Sequence, residues 1–143
     1  MGKKAKIIVD TNVYISALGW NGNERNLIDQ CMDGKYEYYI SEQIYDELRK
    51  VMDYPKLAFT DSQKEEFISA LLDTVEFIEV YESIQVVNDD PDDNKFLECG
   101  IAAAADFIIT GDPHLKKLKH YQEIKIFNAS EFLSLQCLFK NQI

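Results

Sequence analysis

Cationic residues are scarce in this chain of 143 residues: 15 Lys and Arg stand against 25 Asp and Glu, for a formal net charge of −10. Affinity for phosphate backbones ordinarily comes from Lys and Arg, so a charge-driven nucleic-acid binder is disfavoured unless bound divalent cations reverse the local sign. Cysteine is equally thin. Cys31, Cys99 and Cys137 are odd in number, far apart and in no CxxC spacing, so neither a disulfide framework nor a zinc site is indicated and reduced packing roles are expected. The two histidines, His114 and His120, are neither at metal-ligand spacing nor beside a Ser or Cys nucleophile, which leaves a catalytic triad unsupported. No GxGxxG run and no GxxxxGK followed by Ser or Thr occurs, which disfavours dinucleotide and P-loop chemistry.

Long apolar runs are also missing. The basic start from Met1 to Lys6 is followed only by Ile7-Ile8-Val9 before Asp10, too little for the apolar region of a signal peptide. Lys6 occupies the position where a myristoylation signal needs Ser or Thr. The most apolar stretch, Cys99 to Gly111, is broken by Asp106 well short of a membrane span. A cytoplasmic location is expected. With 46% hydrophobic residues and no repeat, low-complexity tract or Pro, Gly or Ser-rich linker, residues 1–143 are expected to form one domain.

What is present is an alternation of strand and helix. Short β-branched or aromatic runs predict strands at Lys6-Val9, Glu37-Ile40, Val75-Val80, Phe107-Thr110 and Ile124-Phe127. Between them, apolar spacing predicts helices over Val13-Leu18, Glu24-Asp33, Glu42-Met52, Ser62-Thr74 and Asn94-Ala105, a short turn at His114-Leu118, and a last helix from Ser130. Ser41, Asp61 and one of Asp92 or Asp93 read as amino-terminal caps, and Gly34 as a left-handed helix stop. Such alternation specifies an α/β fold, a three-layer α/β/α sandwich around a parallel sheet.

Four carboxylates stand where these elements would deliver them to one place: Asp10, Glu47, Asp93 and Asp112. Asp10 ends a buried run, so it carries a desolvation cost unless a cation or hydrogen bonds meet it, though it can also cap the next helix. Glu47 shares the inward stripe of Ile44, Leu48 and Val51, while Glu42, Asp46, Arg49, Lys50 and Asp53 fall outside it. A structural salt bridge would explain Glu47, but no Lys or Arg is evidently placed to form one, and a metal ligand fits better. The run Asn88-Asp89-Asp90-Pro91-Asp92-Asp93-Asn94 concentrates repulsion. Asp93 continues the stripe of Leu97, Ile101 and Ala104, with Asp90 and Asp92 as alternatives. Asp112, in Thr110-Gly111-Asp112-Pro113, is an ordinary turn residue by itself and gains weight from sharing the carboxyl edge of the sheet with Asp10.

Two basic clusters, Arg49-Lys50 with Lys56 and Lys116-Lys117-Lys119-His120, read as solvated faces or phosphate contacts. Trp20-Asn21-Gly22-Asn23 with Arg25 offers an aromatic and amides to single-stranded bases.

Taken in order, Ile8-Val9-Asp10-Thr11-Asn12, Ser41 to Glu47-Leu48, Asp90-Pro91-Asp92-Asp93-Asn94 and Ile108-Ile109-Thr110-Gly111-Asp112 resemble the PIN-domain endoribonucleases, in particular the VapC-like toxins of type II toxin-antitoxin modules. The resemblance implies a PIN-like fold and an acidic quartet, Asp10, Glu47, Asp93 and Asp112, that binds Mg²⁺ or Mn²⁺, with Asn12 or Thr110 positioning substrate or ligands. It implies metal-dependent hydrolysis of RNA phosphodiesters. The partners implied are an RNA substrate and a small antitoxin protein, with a homodimer compatible with both. The duplicated Asp92-Asp93 leaves the register of the third ligand open. Two rivals are a PIN-like module that binds without catalysing and a receiver-type phosphoacceptor. A receiver usually needs adjacent acids near its first strand and a placed Lys, whereas here a single Asp is followed by Thr and Asn.

Overall fold

A computed structural model of the chain describes residues 3–141, with side chains up to Gln136. Met1, Gly2 and the Cys137 side chain, read above, lie outside the described residues. The elements run β1 (Lys6–Val9), α1 (Thr11–Gly19), α2 (Asn23–Met32), β2 (Glu37–Ile40), α3 (Glu42–Met52), α4 (Asp61–Thr74), β3 (Glu76–Phe77), α5 (Asn94–Ala103), β4 (Phe107–Ile109), α6 (Pro113–Lys116), β5 (His120–Tyr121), β6 (Ile124–Phe127) and α7 (Ala129–Asn141). The six-stranded sheet has the order β3-β2-β1-β4-β6-β5. All its pairings are parallel except β5 with β6.

Side-chain alternation sorts the helices into two layers. Ile8 and Ile108 are register partners, as are Ile108 and Ile126, so these three share a face. A Cβ added at Gly100 of α5 would meet Ile124 and Ile108, which places α5 on that face. The opposite face carries Phe107 and Phe127, and Phe132 of α7 stacks edge-on at 5.1 Å from Phe107. Ile7, Ile8, Ile108 and Ile109 are fully buried between these layers, as expected of strands covered on both sides.

Local signals explain most boundaries. Ser41 accepts from the Ile44 amide and caps α3, and Gly34, at φ 85°, turns the chain after α2. Three expectations need correction. The cap of α4 is Thr60, whose hydroxyl accepts from the Gln63 amide while the Gln63 side chain accepts from the Thr60 amide. That reciprocal box outcompetes Asp61, which lies one residue inside the helix. The expected strand over Val75-Val80 pairs only at Glu76 and Phe77, because β2 stops at Ile40 and offers nothing further along. The two-residue β5, absent from the sequence reading, folds back antiparallel on β6. Cys31 and Cys99 are free and buried, in accord with packing roles.

Candidate metal centre

The chain leaves β1 first towards β2 and β3 and then crosses to β4 on the other side. The carboxyl ends of β1 and β4 therefore form the switch point of the sheet, the place where ligands bind in open α/β folds. Asp10 follows β1 there, and its amide donates to the Ile109 carbonyl of β4 at 2.9 Å. The Asp10 side chain is buried. One carboxylate oxygen accepts from the Asn12 amide at 3.1 Å, capping α1, and the other accepts from the Thr110 hydroxyl at 2.6 Å. Thr110 Oγ1 in turn accepts from the Asp112 amide at 3.0 Å. A single hydroxyl thus ties the two strand ends together. Asp112 caps α6 by accepting from the His114 amide at 2.7 Å, so Asp10 and Asp112 are both helix caps and both acids of the switch point.

Asp93 comes from the third direction. It stands at the amino-terminal boundary of α5 yet makes no capping bond, because a tight turn over Pro91–Asp93 aims the carboxyl at the sheet edge. Carboxylate oxygens of Asp90, Asp93 and Asp112 lie within 4.8 Å of one another. Asp93 is 7% exposed, and its Oδ2 has no hydrogen-bond partner. A buried carboxylate oxygen left this way is costly without a proton or a cation. Burial first, then hydrogen bonding with Asp112 and repulsion from Asp112, Asp90 and Asp10, push the Asp93 carboxyl up to about 8. Burial also raises Asp10 above its ordinary 3.8, with Asp112 and Glu47 adding to the rise and the Thr110 and Asn12 bonds opposing it. Three converging carboxylates, one of them with a buried oxygen left unpartnered, supply the hard oxygen donors that suit Mg²⁺ or Mn²⁺, so the residues present fit such an ion.

Glu47 lies close enough to raise the Asp10 carboxyl, but of the expected quartet neither Glu47 nor Asp10 is among the three acids whose oxygens converge, and Asp90 takes the third place beside Asp93 and Asp112. The expectation that no cation meets Glu47 is overturned. Lys95, on the first turn of α5 and only 4% exposed, places Nζ 2.5 Å from Glu47 Oε2. The same ammonium donates to the Asp92 carboxylate and carbonyl, each at 3.0 Å. Sequence spacing could not pair residues 47 and 95, since only the packing of α3 against α5 joins them. Lys95 was legible in another way, because Lys95, Cys99 and Ala103 form an i, i+4, i+8 stripe that is buried throughout. Asp92 is exposed and engaged by Lys95, whereas Asp93 and Asp90 face Asp112.

Two lysines of the second basic cluster are engaged by acids. Lys116 pairs with Glu131, and Lys117 with Asp89. Arg25 donates to the Ala17 and Leu18 carbonyls and to Asn21 Oδ1. It closes the carboxyl end of α1 instead of presenting its guanidinium to bases. Trp20 is 57% exposed, with one edge against Phe59. Asn12 has an exposed side chain, while Thr110 is fully buried.

The family model described as PIN domain matches residues 6–114, a span that runs from β1 through Asp10, Glu47, Asp93 and Asp112. The chain belongs to the PIN domain family. PIN domains are typically nucleases. The uncharacterized protein MJ1680 of Methanocaldococcus jannaschii is 32% identical over 120 residues, covering 81% of this chain and 76% of that protein. The crystal structure of VapBC2 from Rickettsia felis, bound to a DNA fragment from their promoter, has a chain that superposes with a TM-score of 0.59 at 14% identity. The match covers 86% of this chain and 98% of that chain, and it shows a shared fold. The receiver-type alternative is set aside by the family match. Among the described residues no helix is long and apolar enough to cross a membrane.

Proposed function

We propose that this PIN domain is a divalent-metal-dependent endoribonuclease, the toxin of a toxin-antitoxin pair, working in the cytoplasm, with residues 1–143 forming one domain. The observation that carries the reading is the convergence of Asp90, Asp93 and Asp112 carboxylate oxygens, together with a buried Asp93 oxygen left without a hydrogen-bond partner. Asp10, Glu47, Asp93 and Asp112 are the residues proposed to hold Mg²⁺ or Mn²⁺. When bound, such an ion supplies an activated water for in-line attack on a phosphodiester and offsets the charge that develops on it. The protein's own contribution is preorganisation. Thr110 fixes Asp10, the His114 amide fixes Asp112, and burial keeps Asp93 short of solvent so that its affinity for a cation is high. The exposed Asn12 amide stands at the rim, where it can orient the RNA backbone.

The proposed antitoxin partner draws on the VapBC2 fold neighbour, a toxin-antitoxin complex. A chain of net charge −10 would also associate readily with a basic protein. The test is cleavage of a mixed RNA pool with Mg²⁺, with Mn²⁺ and with chelator. Cleavage that needs the ion and disappears in Asp93→Asn supports the reading. RNA left intact under every condition, by protein that still binds an antitoxin encoded beside it, would identify a non-catalytic binding module instead.

A further inference from the structure

Burial and helix position both disfavour the cation of the site. Lys95 is almost fully buried, which disfavours its charge. It also sits on the first turn of α5, where the helix dipole repels cations. Its stem passes the Phe96 ring, with Nζ 5.0 Å from the centroid, too slight a gain to hold an ammonium there. What holds it is oxygen: Glu47 Oε2, Asp92 Oδ2 and the Asp92 carbonyl take up its three donors.

Placed between α3 and α5, this ammonium grips one oxygen of Glu47, a side chain that is 27% exposed. We propose that Lys95 is a positioning residue of the metal centre: by fixing Glu47 from the α5 side, it sets the acidic group against Asp10 and leaves the other Glu47 oxygen to the site. The inference rests on the metal-dependent reading above. A carboxylate held by an outer partner typically loses about 10- to 100-fold in metal affinity when that partner is removed. Simple charge counting predicts the opposite sign, because deleting a cation near four acids should tighten Mn²⁺ binding.

The test is Mn²⁺ affinity, measured by calorimetry or by the free-Mn²⁺ EPR signal, on wild type, Lys95→Met, Glu47→Gln and the double variant, with folding checked by circular dichroism. Lys95→Met should weaken binding by at least about 10-fold. The double variant should bind no worse than Glu47→Gln alone, since Lys95 acts through Glu47. Lys95→Gln, which keeps a donor without the charge, should recover part of the loss and serves if Lys95→Met does not fold. Unchanged or tighter binding in Lys95→Met or Lys95→Gln would overturn the proposal, as would losses that multiply in the double variant. Wild-type protein that binds no Mn²⁺ would instead defeat the metal-dependent reading itself.

Discussion

Removing the charge of Asp93 should stabilise the metal-free protein, and by an amount that depends on pH. The folded chain holds the Asp93 proton up to about 8 through burial and the approach of Asp112, Asp90 and Asp10, from an ordinary value of 3.8. In that interval the folded state binds a proton that the unfolded state has released, so stability falls as pH rises from about 4 towards 8. The full rise corresponds to at most about 6 kcal/mol at about 1.4 kcal/mol per pH unit. Asp90 and Asp112 are partly exposed and able to tilt towards water, which reduces the penalty to roughly half that limit. Asp93→Asn has no proton to hold. Its advantage over wild type in chelator should therefore grow by about 2 to 4 kcal/mol between pH 5 and pH 8, or roughly 4 to 16 °C in Tm for a chain of this size. Saturating Mn²⁺ at pH 8 should reverse the order, because the ion stabilises only the protein that binds it. Thermal melts by circular dichroism at pH 5, 6.5 and 8, with chelator and then with Mn²⁺, read both effects. A Tm difference that does not change with pH, or a variant that gains as much from Mn²⁺ as wild type, would refute the shared-site electrostatics.

Asp10→Asn should keep the α1 cap, since Asn caps nearly as well as Asp, and should raise stability in chelator at neutral pH by on the order of 1 kcal/mol. Its gain from Mn²⁺ should be smaller than that of wild type; a variant that is less stable in chelator and responds fully to metal would contradict this. Glu47→Gln should abolish metal-dependent RNA cleavage, whereas Asp46→Asn and Glu42→Gln, both exposed on α3, should cleave like wild type. Equal losses in all three would mean that α3 as a whole, and not the face bearing Glu47, matters. Thr60→Ala should lower stability by about 1 kcal/mol in urea titrations through loss of the α4 capping box, while Asp61→Ala stays within about 0.5 kcal/mol; the reverse ranking would restore Asp61 as the cap.

The strand runs, the helix stripes and the turn residues are local properties, and they were enough to specify the α/β class and the positions of β1, β2, β6 and α3 to the residue. The burial of Asp10 at the end of an apolar run, and the placement of Asp112 after Phe107-Ile108-Ile109, follow from the same local rules. Two acids leaving the same ends of parallel strands must share an edge once those strands are in one sheet. Strand order was beyond such rules: that β4 lies against β1, putting Asp112 beside Asp10, is a choice among crossovers that periodicity does not encode. The Thr110 hydroxyl bridging both acids depends on that choice. So does the turn that separates Asp93, buried against Asp112, from Asp92, exposed on Lys95; adjacent identical residues differ only through the neighbours that folding supplies. Lys95 marks the same boundary. Its buried stripe was written in the helix period and its pairing with Asp92 is local, but its partner Glu47 lies on another helix, and only the packing of α5 on α3 could bring the two together.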